Sequence, residues 1–151
     1  VLVANYHAPE EQNLDGAVAA LHKYGVENIR LQKDVFNPQL YFQLLTLAKT
    51  GDLGRMTQYK SAPEEDRTGQ LMTYPVLMAH DVVGYTEVYV GADQEQHLQY
   101  ARKLIRAYNS KFKTEYPIPM PVIVVGACQG LAGTRQEDVE VFSGRVPVFG
   151  R

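Results

Sequence analysis

The chain has 151 residues, 45% of them hydrophobic and 21% charged, with a formal net charge of -2. That suits one domain with a real core, and the scattered fifteen Lys and Arg exclude a polybasic surface for bulk binding of nucleic acid. A single cysteine, Cys128, excludes an internal disulfide framework, and no run approaches the ~18 apolar residues of a membrane span, so a reduced, cytoplasmic protein with no membrane partner is expected.

Val1-Leu2-Val3-Ala4-Asn5-Tyr6 is an apolar, β-branched run that reads as a buried parallel strand. It opens the chain with no signal peptide and no initiating Met, as if inside a domain. A helix follows from Asn13-Leu14-Asp15, with Leu14, Ala17, Val18, Leu21 and Tyr24 at helical spacing and Gly25 as its stop. Asn28 to Gln32 reads as the next strand. Asp34 or Asn37 can cap the apolar helix that carries Leu40, Phe42, Leu44, Leu45, Leu47 and Ala48. Alternation of strands and helices predicts a parallel sheet.

Gly51 to Asp66 is polar and contains glycine, and its end, Lys60 to Asp66, is expected to be a mobile loop. A helix then spans about Gly69 to Val83, its start blurred by Pro75. On it Tyr74, Met78 and Asp81 share a face, so they can line a cavity that is apolar for most of its length and ends in a carboxylate. A flat apolar ligand with one N–H would satisfy that acid. Equally, Tyr74 and Met78 can be core and Asp81 an exposed or capping residue.

Thr86 to Val90 is another strand, and Gly91 begins a strand-to-helix turn, the place where open α/β sheets bind ligands. Asp93 and Gln94 stand in that turn. A helix over Ala92 to Asn109 buries Leu98, Ala101, Leu104, Ile105 and Tyr108, and His97 reads as packing because no partner stands at metal-ligand spacing. No metal site is expected. After a proline-stiffened crossing from Tyr116 to Pro121, Val122 to Gly126 is a last parallel strand or an extended segment, and Cys128, with no nearby His, reads as a small buried hydrophobe.

Three stretches in this order resemble bacterial-type, class I tryptophanyl-tRNA synthetases. They are Gly51-Asp52-Leu53-Gly54-Arg55-Met56-Thr57-Gln58-Tyr59-Lys60-Ser61, the helix Tyr74-Pro75-Val76-Leu77-Met78-Ala79-His80-Asp81, and Gly91-Ala92-Asp93-Gln94-Glu95-Gln96-His97. The resemblance runs from Val1 to about Arg135. It implies a Rossmann-type α/β fold, with a parallel sheet of four or five strands and helices on both faces, as one catalytic domain over residues 1–151 without an anticodon-binding domain.

By the same resemblance Asp81 accepts the indole N–H of L-tryptophan, Met78 flanks the ring, and Tyr74 and Gln94 hold the α-amino group. Gly91 and Asp93 meet the ribose of ATP, and Ser143 and Gly144 lie near its phosphates. Mg2+ enters with ATP. No catalytic residue is assigned. His80 stands where Ala is usual in the family, and Ala92 where many members have an acid.

The family's HxGH-like or GNxxG-like and KMSKS-like signatures are absent from this sequence, and Gln136-Glu137-Asp138-Val139 stands where the second would begin. Val139 to Pro147 resembles the family's first strand and phosphate-side loop, at the wrong end of the chain. A circularly permuted or otherwise rearranged core would give that order, and would place Val139 to Phe142 centrally, between Val1 to Tyr6 and Val88 to Val90. The functional expectation is a tryptophan- and ATP-binding core, with formation of tryptophanyl-adenylate residual. The alternative is a non-catalytic tryptophan-binding or scaffold domain. Selectivity for tyrosine is a third reading, since the related tyrosine enzymes also use a pocket acid. Family membership further implies homodimers and tRNA(Trp), the latter expected to be charged poorly.

Overall fold

The computed structural model describes residues 2–4, 18–19, 22–23, 25, 27–123 and 140–142. The expectations for residues 13–17, Leu21, Tyr24, Cys128, the Gln136-Glu137-Asp138 joint, Ser143 and Gly144 lie outside them.

Strand β1 (Leu2–Ala4) pairs in parallel with β2 (Arg30–Leu31), in the register Leu2 to Arg30 and Val3 to Leu31. Between them, residues 18–19 and 22–23 are helical, and Gly25 takes φ +78 while its N–H donates to the His22 carbonyl at 2.9 Å. That left-handed stop is the one expected of glycine. A second pair, β3 (Glu87–Val90) and β4 (Met120–Ile123), is parallel from Glu87 opposite Met120 to Val90 opposite Ile123.

The expectation of a wholly parallel sheet is corrected at β5 (Glu140–Phe142). It runs antiparallel to β1, with Leu2 opposite Phe142 and Ala4 opposite Glu140, and closes a three-stranded order β2-β1-β5. It also lies close to β3, which pairs with β4 in a separate two-stranded sheet, so β5 is an edge in its own strand order. Its direction is also opposite to that of a first strand carried over into a parallel sheet. Antiparallel pairing needs no crossover, and a returning chain end can form it directly.

Helices supply the core. Immediately after β2 come α1 (Gln32–Val35) and α2 (Pro38–Leu45), the latter capped by Asn37, whose Oδ1 accepts from the Leu40 N–H at 3.1 Å. Pro38 at the first helical position gives up no intrahelical bond. Ahead of the expected loop stand two short helices, α3 (Thr50–Leu53) and α4 (Thr57–Ser61), the second reaching into it, and a 3-10 turn over Glu64–Asp66 lies within it. Side chains from elsewhere hold these ends. Gln96 Oε1 accepts from the Thr57 N–H at 2.9 Å, and the Arg67 guanidinium donates to the carbonyls of Ala62 and Lys60, both at 3.0 Å.

Helix α5 (Gly69–Val82) begins at Thr68, whose Oγ1 accepts from the Leu71 N–H at 3.2 Å. Pro75 therefore lies in its interior, where it removes one backbone donor, and its ring is among the most deeply buried side chains. Against α5 packs α6 (Glu95–Phe112), preceded by a 3-10 turn over Ala92–Gln94. Leu98, Ala101, Leu104, Ile105 and Tyr108 of α6 are buried as their spacing predicts, together with His97 and Tyr100. They meet Val76, Ala79 and Val82 of α5, Leu44 of α2 and Val88 and Val90 of β3. Each fully buried aliphatic side chain contributes roughly 1.5–3 kcal/mol. Among the described residues no helix is long and apolar enough to cross a membrane.

Candidate functional site

Two polar groups lie at the carboxyl ends of parallel strands, and α5 joins them. Gln32 follows β2 directly and Gly91 follows β3 directly. Such ends are where sheets of this class leave room for ligands.

At the first end, Asp81 is 5% exposed and His80 6% exposed. Gln32 Nε2 donates to Asp81 Oδ2, and His80 Nδ1 lies 2.8 Å from Asp81 Oδ1. The Asn37 backbone N–H donates to His80 Nε2 at 2.9 Å. A nitrogen that accepts cannot also carry the proton, so the imidazole is the Nδ1–H tautomer and donates to Asp81. Burial raises the Asp81 carboxyl above its ordinary value of 3.8, against the opposing pull of its hydrogen bonds to His80 and Gln32. Both donors can be neutral, so the acid has left water without gaining a permanent cation. Each carboxylate oxygen still has one acceptor position beyond the bond it makes here.

At the second end, Gln94 Nε2 donates to Asp93 Oδ2 at 3.2 Å, and Gln94 Oε1 lies 3.0 Å from His97 Nδ1. An amide oxygen only accepts, so His97 also carries its proton on Nδ1. Burial lowers the His97 pKa below 6.5, against the raising effect of the Asp93 charge. Its ring lies against Tyr74, with centroids 5.6 Å apart. Gly91 has an ordinary backbone angle, and a Cβ there would stand 2.5 Å from Asp93 Oδ1 and displace that carboxylate.

Tyr74 and Asp81 are thus on one helix but in different clusters, about 10 Å apart along the axis. Met78, between them, is 1% exposed and belongs to the core. Asp81 is neither exposed nor a cap. Of the expected site residues, Tyr74, Gln94, Asp93 and Gly91 gather around one turn, and Asp81 stands apart with partners that sequence spacing missed. Gln32 is 49 residues distant and Asn37 lies 43 residues from His80. The one available signal for Gln32 was its place as the last residue of the expected strand Asn28 to Gln32. Among the described residues, no cluster of three or more His, Cys, Asp or Glu could hold a metal ion.

The family model described as tRNA synthetases class I (W and Y) matches residues 5–135. The tryptophan–tRNA ligase of Tropheryma whipplei is 38% identical over 96 residues, covering 60% of this chain and 29% of that protein. That of Oceanobacillus iheyensis is 42% identical over 85 residues, covering 54% of this chain and 26% of the relative. This chain therefore spans about 29% or less of these two relatives' length. The crystal structure of the Campylobacter jejuni tryptophanyl-tRNA synthetase complexed with ADP and tryptophan is similar, with a TM-score of 0.71 and 29% identity, over 83% of this chain and 44% of that one. The fold is accordingly of the Rossmann-type α/β class.

Proposed function

This chain belongs to the class I tRNA synthetases for tryptophan and tyrosine, and we propose that it carries the amino-acid-selecting part of a tryptophan–tRNA ligase core. One observation carries the reading: a carboxylate that is 5% exposed, held by Gln32 and His80 with acceptor positions to spare. In that setting Asp81 accepts the indole N–H of L-tryptophan. Met78 supplies apolar surface beside the ring, and Tyr74 and Gln94, two helical turns away, receive the α-amino end. A site built to pair with an N–H rejects ligands that lack it by as much as ~10⁴.

Gly91 and Asp93 suit the ribose of ATP. Absence of a side chain at Gly91 lets the backbone come close, and Asp93 is a carboxylate acceptor for a hydroxyl, oriented by Gln94. When bound, ATP with Mg2+ supplies the reactive α-phosphate. The residues of this chain orient the amino acid toward it and keep water from the indole side. Ser143 and Gly144 remain proposed phosphate-side residues, and tRNA(Trp) and a second subunit are partners proposed for the whole protein.

The second reading, a tryptophan-binding or scaffold domain without catalysis, draws on the absence of both ATP-handling signatures from this sequence. Calorimetric titration with L-tryptophan, beside L-tyrosine and with Asp81→Ala, tests the first step. Saturable tryptophan binding, weakened at least roughly 100-fold in the variant, is expected. Absence of binding to either amino acid would refute the pocket. Exchange of labelled pyrophosphate into ATP then separates catalysis from binding.

A further inference from the structure

The buried residue that the resemblance leaves without a role is His80. It is ordered on every side. Asn37 N–H points at its Nε2, its Nδ1–H points at Asp81, and its ring lies against Phe36 and Tyr41 with centroids at 4.8 and 6.5 Å. Rotation of the ring by a half-turn would set a carbon where each nitrogen now bonds.

We propose that His80 is a positioning residue that keeps the Asp81 carboxylate an acceptor, ionised and fixed in rotation, for the N–H of the bound amino acid; this rests on the pocket reading above. The argument is a matter of donors. Asp81 faces Gln32 Nε2–H on one oxygen and His80 Nδ1–H on the other. A protonated carboxyl would set its own hydrogen among these donors and lose an acceptor position. The Asn37 N–H in turn stops the imidazole from moving its proton to Nε2, because two donors would then meet. A backbone amide at the start of α2 thereby fixes the state of a carboxylate on α5.

The electrostatics agree with the geometry. Burial pushes Asp81 toward its neutral form, and the bond to His80 is the leading influence in the other direction. Its other side-chain partner, Gln32, does not titrate. Of the other titratable groups on the packed elements, Tyr41 of α2 meets the His80 ring, and His97 of α6, with Asp93 behind it, meets Tyr74. Asp52 of α3 is paired with Arg55 and Lys103, and Tyr59 of α4 packs against the core.

Three variants test the role. His80→Ala removes the ring. His80→Asn keeps a side-chain N–H near the place of Nδ1, and His80→Gln keeps a group that can reach toward Asn37 but offers Asp81 no such donor. Tryptophan affinity is measured by calorimetry between about pH 8 and about pH 6, and the Asp81 carboxyl is titrated by carbon-13 NMR, its signal identified with Asp81→Asn. A charged hydrogen bond of ordinary strength corresponds to roughly ten-fold in affinity. His80→Ala and His80→Gln should therefore bind tryptophan roughly ten-fold more weakly than the parent, the deficit growing as pH falls, with the carboxyl titrating at higher pH than in the parent. His80→Asn should restore both. If the carboxyl titrates unchanged or lower in His80→Gln, the proposal is overturned, and the same comparison serves should His80→Ala fail to fold. A parent chain that binds no tryptophan overturns the pocket reading and the ligand half of this proposal, while the carboxyl titration still decides whether His80 holds Asp81.

Discussion

Asp52 and Asp81 are each held by two side-chain donors, yet their surroundings act on them in opposite directions. Asp52 bonds Lys103 Nζ at 2.8 Å and Arg55 Nη2 at 2.5 Å near the surface, and these bonds, that to Lys103 foremost, hold its carboxyl below the ordinary 3.8. Asp81 has exchanged water for an amide and an imidazole, and burial drives it upward. An ion pair in water adds little to stability and tolerates change. A buried acid with donors and no permanent cation is costly to keep, which makes it the better candidate for a purpose beyond folding.

The strongest way to break this contrast is to remove the acid. Asp81→Ala leaves the His80 and Gln32 N–H groups without acceptors in a buried place, and should lower unfolding stability by about 2–4 kcal/mol. Asp81→Asn should be at least as stable as the parent at neutral pH. It removes a desolvated charge, and the Gln32 amide can turn to present its oxygen to the new NH₂ group. Urea unfolding of the two variants measures the difference. Equal losses in both would mean that charge, not hydrogen bonding, holds the cluster.

Gly91 sharpens the comparison through a third aspartate, Asp93. A methyl at Gly91 would collide with Asp93 Oδ1, and the carboxylate must swing away from its place beside Gln94. Gly91→Ala should weaken ATP binding roughly ten-fold, the loss of about one good hydrogen bond, with little effect on stability because φ at this residue is -66. A fluorescence or calorimetric titration with ATP that finds unchanged affinity would remove Gly91 and Asp93 from the nucleotide side.

How much of this was legible beforehand follows from the range of the forces involved. The buried face of α6 and the turn at Gly91 are local patterns, and the sequence spells them out. Asp81 was legible as an acid at one end of an apolar helical face. Its setting was not, because Gln32 reaches it, and Asn37 reaches the neighbouring His80, across more than forty residues, and no periodicity encodes such a meeting. The same reason explains α4 and the 3-10 turn after it, too short to persist alone. Gln96 and Arg67 hold the ends of α4, so a local reading gave a loop from Lys60 to Asp66. The direction of β5 was missed because alternation of strands and helices argues for parallel pairing only where a crossover helix intervenes.

The finest distinction between the two aspartates is their response to acid. The folded-state pKa of Asp81 is raised, so the folded chain takes up its proton first, and the cost of the ionised form is relieved as pH falls through that value toward 3.8. For Asp52 the folded-state pKa is lowered, so its contribution is complete above 3.8 and is lost as pH falls through the depressed value. Measured as parent against the Asp→Asn variant at each position, the Asp81 difference should shrink on acidification above 3.8, and the Asp52 difference should hold to that point and vanish below it. The Asp52 effect should also be nearly abolished by ~1 M salt, where screening reaches only about 3 Å, and the Asp81 effect largely kept. Asp52→Asn is then the smallest change of all, a midpoint shift visible at low ionic strength and lost at high. Equal salt sensitivity at the two positions would mean that Asp81 is reached by solvent, and a solvent-reached Asp81 could not select a ligand by the N–H it offers.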